Sequence, residues 1–268
     1  MSFYIKEVNT SEVVMRYLTF GTGSKPLVII PGLSVKSVLE AAKQIELAYS
    51  DFAKDYTVYL FDRRSNIPKD YAIAQMAEDT VKVLKKLRLK NICFFGASQG
   101  GMIAMQIALT HPELTEKLAL CSTSAEITEK EAVLIGGWSS LAREGKAKEL
   151  FLSFGKAVYP ESVFSLFEDF LIKESETVNE EELGRFATLC NAVKGFNVLE
   201  KLESITCPIM LTGAEDDAVL GLESTKKIIK KLDGKPNFRY FIYPPGYGHA
   251  CYDTAPDYKK RLKEFFNR

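Results

Sequence analysis

Only two histidines and one tryptophan occur among the 268 residues, and the five cysteines (Cys93, Cys121, Cys190, Cys207 and Cys251) are far apart, with no Cys-x-x-Cys pair. That scatter excludes the closely paired ligands of a zinc site and the dense thiol spacing of a disulfide framework. Reduced thiols in a chain of this kind point to the cytoplasm. Net charge is lacking as well: 35 Lys plus Arg are balanced by 35 Asp plus Glu. No overall field is available to hold nucleic acid or an anionic membrane surface, so neither is an expected partner. The lysines at 226, 227, 230 and 231 recur at helical spacing and read as a solvated helix face. The opening Met1-Ser2-Phe3-Tyr4-Ile5-Lys6-Glu7 has no basic stretch followed by an apolar run, so no export signal is expected and the cytoplasmic reading stands.

One stretch, Asn91 to Thr110, has no charged residue and is long enough to cross a bilayer. Its centre, Gly96-Ala97-Ser98-Gln99-Gly100-Gly101, would weaken a spanning helix and strand its polar groups away from water. A buried strand, a sharp turn and a buried helix satisfy the same residues.

Short apolar runs at Leu27–Ile30, Val58–Phe61, Ile92–Phe95, Leu118–Cys121, Ile209–Thr212 and Phe238–Tyr243 alternate with helical patterns. That rhythm predicts an α/β fold whose mostly parallel sheet is covered by helices on both faces. Ahead of it, Phe3–Val8 and Val13–Leu18 flank a polar turn and read as an antiparallel hairpin at the sheet edge, which brings the count to eight strands. Ile73, Met76, Ala77, Thr80, Val83, Leu84 and Leu87 share one face of an amphipathic helix. From Thr123 to about Arg185 the strand rhythm stops, and a helical stretch carrying Trp138, Phe151, Phe154, Phe164, Phe167 and Phe170 replaces it. We therefore expect one core made of residues 1–122 and 186–268, with residues 123–185 inserted as a helical cap. Most of the cap aromatics should pack the cap onto itself and onto the sheet.

Gly96-Ala97-Ser98-Gln99-Gly100 matches Gly-x-Ser-x-Gly, the turn that lifts a serine off a strand end on a strained backbone. It follows Ile92-Cys93-Phe94-Phe95 and precedes Met102 to Leu109, the strand, turn and helix order that such a turn requires. Neither Gly-x-Gly-x-x-Gly nor the Gly-Lys-Ser/Thr ending of a phosphate loop is present. A serine hydroxyl becomes a useful nucleophile only beside a base. His111 ends the helix that Ser98 begins, about 20 Å away at ~1.5 Å per residue. His249, in Pro244-Pro245-Gly246-Tyr247-Gly248-His249, follows the last strand on a loop that can carry an imidazole over the strand ends. The imidazole in turn needs an anion to fix its tautomer. Asp216, just past the strand Ile209–Thr212, is the chosen acid, with Asp217 and Glu215 as flanking candidates and Asp253 placed at the start of the final helix. The chain order Ser98, Asp216, His249 matches the order found in α/β-hydrolases.

These residues resemble the α/β-hydrolase superfamily over roughly residues 3–122 and 186–268. The likeness extends to Asp62-Arg63 after the fourth strand, His111-Pro112-Glu113 after the turn helix, and Pro208 opening the seventh strand. Pro31-Gly32-Leu33 stands where the family has a His-Gly turn, and Arg64-Ser65-Asn66 where it has a Gly-x-Gly-x-Ser run. By that resemblance the backbone amides of Leu33 and Gln99 form the oxyanion hole.

The resemblance implies a serine hydrolase that cleaves a small-molecule ester through an acyl-enzyme, with no cofactor and no metal. The same three groups also serve carbon–carbon, lactone or amide cleavage, and the fold alone could carry a ligand-binding receptor without turnover. Acyl chain length, pathway and oligomeric state are left open by the sequence.

Overall fold

The computed structural model describes residues 3–268, so Met1 and Ser2 of the opening stretch lie outside it. The strands are β1 (Tyr4–Asn9), β2 (Val14–Phe20), β3 (Lys25–Ile30), β4 (Tyr56–Arg64), β5 (Ile92–Ala97), β6 (Thr115–Cys121), β7 (Ile209–Ala214) and β8 (Phe238–Tyr243). The helices are α1 (Ala42–Ala48), α2 (Ile73–Lys86), α3 (Gln99–Thr110), α4 (Glu129–Arg143), α5 (Ala147–Val158), α6 (Glu161–Thr177), α7 (Glu180–Asn191), α8 (Gly221–Leu232), α9 (Cys251–Thr254) and α10 (Tyr258–Asn267). The strands form one eight-stranded sheet in the order β1-β2-β4-β3-β5-β6-β7-β8. β2 pairs antiparallel with both β1 and β4, and every pairing from β4 through β3 to β8 is parallel. This is the expected hairpin followed by a parallel sheet.

The apolar runs become buried strands because each supplies side chains to both faces. In β5, Ile92 and Phe94 pack with α2, α3 and the cap, while Cys93 and Phe95 pack with Tyr49, Tyr258 and Phe266 on the other side. Most strands run past their apolar run. β4 continues through Asp62, Arg63 and Arg64 because these charges find partners, Arg64 with Asp79 at 3.0 Å and Asp62 with Arg185 at 2.6 Å. On α2 the expected face is buried except at Leu87, which follows the helix and is half-buried, and Asp79 joins it, accepting hydrogen bonds from Arg64 and Tyr71.

Helices α4 to α7 occupy the chain between β6 and β7, and α7 runs straight through position 185. Asn179 and Glu182 cap α7 reciprocally, each side chain accepting the other's backbone N–H. Trp138, Phe154 and Phe186 meet edge to face, with centroids 4.9 and 5.7 Å apart, and tie α4, α5 and α7 together. Trp138, Phe151 and Phe164 are buried, whereas Phe167 and Phe170 remain on the surface. Among the described residues, no helix is long and apolar enough to cross a membrane. The uncharged stretch from Asn91 to Thr110 is β5, a turn and α3.

The parallel register aligns the strand ends: Ile30 lies opposite Gly96, Ala97 opposite Cys121, Cys121 opposite Thr212, and Ala214 opposite Tyr243. Whatever follows β3, β5, β7 and β8 therefore collects along one edge. α3 starts there against β3. A Cβ on Gly100 would stand 1.9 Å from the carbonyl oxygen of Ile30 and 2.5 Å from that of Pro31, both backbone atoms that cannot step aside. Gly100→Ala should lower stability by about 3 kcal/mol or more in denaturant titration. A Cβ on exposed Gly184 in α7 would meet none of the described residues within 4 Å, and Gly184→Ala should instead raise stability by about 0.5–1 kcal/mol.

Candidate active site

Ser98 stands between the last residue of β5 and the first of α3 with φ 52° and ψ −122°. A residue with a side chain holds this left-handed backbone at a cost of about 1–3 kcal/mol, and such strain gathers at functional sites. Local hydrogen bonds maintain it. The Ser98 N–H donates to Cys121 O at 2.9 Å, and its carbonyl accepts from Gly101 N at 2.9 Å and Thr123 Oγ1 at 2.7 Å. Gly96 is required by the same crossing, since a Cβ there would fall 2.5 Å from Gly100 O. A Cβ on Gly32 would lie 3.0 Å from Ser98 Cβ and 3.6 Å from Ser98 Oγ, so its absence leaves space open beside the hydroxyl.

The imidazole comes from the loop after β8. Gly246 and Gly248 adopt φ of 112° and 62°, and the turn they make buries His249 to 3% exposure. His249 Nδ1 lies 2.9 Å from both Oδ1 and Oδ2 of Asp217. With Nδ1–H donating to the carboxylate, Nε2 is left as the basic nitrogen. Asp217 supplies the only hydrogen bonds to the ring among the described residues, and none joins the ring to Ser98.

The structure does not bring the expected aspartate to the imidazole; its neighbour lies there instead. Asp216 does not face the imidazole; its carboxylate accepts the backbone N–H groups of Gly246 at 2.7 Å and Gly248 at 3.0 Å. Asp217 takes the place behind His249. β7 extends to Ala214, two positions beyond its apolar run, and the turn that follows closes with Asp217 N–H on Ala214 O. Asp217 Oδ1 also accepts from Val219 N at 2.9 Å and Leu220 N at 3.0 Å, which folds the chain around it. Burial pushes the Asp217 carboxyl up, but the adjacent imidazole and those two amides outweigh it and hold the group below the usual carboxylate range. Glu215 is exposed, and its backbone N–H donates to Tyr243 O at 3.0 Å. Asp253 lies in α9 beside Lys259. His111 closes the far end of α3 and meets Glu113 and Glu78.

Leu33 follows β3 on a half-buried loop, and Gln99 is the first residue of α3, where a backbone N–H has no acceptor within the helix. Both segments border Ser98. The Gln99 side chain is fully packed: Oε1 accepts from Arg63 Nη2 at 3.3 Å and Nε2 donates to Leu189 O at 2.8 Å. Arg63, absent from the expected site residues, also donates to Pro31 O at 2.7 Å. In sequence the pair reads as following the fourth strand; the structure keeps both on β4, where a buried charge must have partners.

The cap covers this edge. Ala250 N–H donates to Val158 O at 3.0 Å, and a Cβ on Gly248 would come within 2.9 Å of Pro160. Clefts of about 600 and 530 Å³ open along α10 and between the cap and the start of α2, and neither is lined by Ser98, Asp217 or His249.

Comparison with known proteins agrees with this fold. The chain is 26% identical over 215 residues to a protein of Serratia proteamaculans named "Putative carbamate hydrolase RutD", with 74% of each chain covered. It is 25% identical over 224 residues to 3-oxoadipate enol-lactonase 2 of Acinetobacter baylyi, covering 80% of both. Among solved structures it is similar to MGS-M2, an α/β hydrolase enzyme from a Medee basin deep-sea metagenome library, with a TM-score of 0.86, 20% identity and 98% of each chain covered. The family model of the α/β hydrolase fold matches residues 25–256, and the chain belongs to that family.

Proposed function

We propose that the protein hydrolyses a small-molecule ester, cyclic esters included, through an acyl-enzyme on Ser98. The observation that carries this reading is the buried contact between His249 Nδ1 and both oxygens of Asp217, on the sheet edge where Ser98 is held in a left-handed turn. Ser98 Oγ attacks the acyl carbon as His249 Nε2 takes its proton, and Asp217 stabilises the imidazolium that forms. The oxygen of the tetrahedral intermediate receives the N–H groups of Leu33 and Gln99. Collapse expels the alcohol, which leaves with the proton from Nε2. Water, deprotonated by the same nitrogen, then attacks the acyl-serine and restores the hydroxyl.

The names of the two relatives support this class of reaction, since enol-lactone and carbamate cleavage both begin with attack on an acyl carbon. A cytoplasmic location belongs to the same reading. It is supported by the wide scatter of the five cysteines along the sequence.

Ser98→Ala should abolish both the hydrolysis of short p-nitrophenyl esters and labelling by a fluorophosphonate. Equal labelling of the two proteins would refute the nucleophile. Asp217→Asn should reduce kcat about 10³–10⁴-fold, and Asp216→Asn far less, because it removes a tie to the loop backbone and leaves the imidazole's partner in place. Equal losses in these two variants would return the acid to an open question. Stability carries its own pH signature. The folded Asp217 carboxyl titrates below its unfolded counterpart, so its contribution is complete above about pH 4 and drains away as pH falls through the folded value. Melting temperatures of wild type and Asp217→Asn should accordingly differ at neutral pH and converge in acid.

A further inference from the structure

Asp62 and Arg63 lie near the end of β4, and between them they touch the Pro31 loop, the first residue of α3 and helix α7 of the cap. Arg63 Nη2 donates to Pro31 O at 2.7 Å, on the loop that leads to Leu33, and to Gln99 Oε1 at 3.3 Å, the side chain of the residue after Ser98. Asp62 Oδ1 accepts from the Arg63 backbone N–H at 2.7 Å and from Arg185 Nη2 at 2.6 Å, and Oδ2 accepts from Ser37 Oγ at 2.6 Å, farther along the Pro31 loop. Arg185 and Leu189 stand one turn apart on α7, so a single face of this cap helix meets Asp62 through the first residue and Gln99 Nε2 through the second.

We propose that Arg63 is a positioning residue that holds the two halves of the oxyanion hole in register with each other and with the cap. The proposal rests on the assignment of the Leu33 and Gln99 amides as donors to the developing oxyanion. Those donors act only when both are aimed at one point about 3 Å away, and a sub-ångström drift of either weakens them. They belong to separate segments, one after β3 and one after β5. Gly32 gives the first segment torsional freedom that must be taken up elsewhere. The Pro31 carbonyl, pressed against Gly100 on one side and bound by Arg63 on the other, removes much of it. On the second segment, the Gln99 side chain is stretched between Arg63 and Leu189 O, which fixes the residue whose N–H faces the substrate.

A cation 8% exposed is a costly brace, and Arg63 Nε has no hydrogen-bond partner among the described residues. An apolar side chain would fill the same volume with no charge to desolvate. What it could not do is donate to two separate segments at once. Burial pulls the guanidinium down to about 10, with Asp62 opposing, so the brace is charged throughout the neutral range.

Arg63→Met should lower kcat for a p-nitrophenyl ester about 10–100-fold with KM little changed. Affinity for a boronic acid, which forms a tetrahedral adduct on the serine, should fall in parallel, while a ground-state competitive inhibitor binds as before. Arg63→Lys, which keeps the charge but can reach only one acceptor well, should recover part of the loss. Should Arg63→Met not fold, Gln99→Leu decides the matter, because it cuts the side-chain link and retains the backbone amide; the same split is expected. Wild-type kcat in either folded variant, a loss confined to KM, or a fall in kcat with unchanged boronic acid affinity would overturn the proposal. These outcomes are read against wild-type labelling at Ser98. If wild type neither labels nor turns over, the hydrolase reading itself fails and the role of Arg63 fails with it.

Discussion

The first turn of α3 rests directly on the carbonyls that end β3, with no side chain between them at Gly100. This near-contact of two backbones depends on steric absence, and much else follows from it. It lets the chain reverse sharply at Ser98, so that the residue keeps a left-handed conformation under load from its neighbours. It brings the Pro31–Leu33 segment alongside the serine. Strain at one residue persists because close packing on every side leaves it no cheaper conformation.

Two adjacent aspartates divide the support of the histidine between them. Asp217 meets the ring, and Asp216 meets the backbone of the loop that carries the ring. The loop contains two glycines in the left-handed region and would otherwise have many conformations open to it. A carboxylate accepting two of its N–H groups narrows those choices before the imidazole finds its partner. The turn after β7 thus determines both where the histidine sits and how it is oriented.

The eight strands could be read from the sequence because parallel strands buried on both faces appear as unbroken apolar runs, and their flanking turns are rich in glycine and proline. Their ends were less legible. β4 continues into Asp62, Arg63 and Arg64, which look like loop residues until Arg185 and Asp79, distant in sequence, arrive to neutralise them. The Gly-x-Ser-x-Gly turn lies where its context placed it, between β5 and α3. The acid could not be resolved between neighbours, because both aspartates lie in the turn that follows β7, where no strand or helix period says which side chain faces the histidine. Nothing in a linear reading distinguishes Asp216 from Asp217; the difference arises only when Val219 and Leu220 fold back onto the second carboxylate. The Asp62–Arg63–Gln99–Arg185 cluster was invisible for a related reason. It is assembled from three separate segments, and its pattern exists only in space.

The hydrogen bond from Ala250 N–H to Val158 O joins the histidine loop to the end of α5, and Pro160 packs against Gly248 beside it. Residues 158–160 thus belong as much to the edge that carries His249 as to the inserted helices. A chimaera given the helices of another family member would acquire a new cover over the sheet edge together with a new neighbour for the loop that carries His249. Exchanging α6 alone, with this short junction left in place, would separate the two effects.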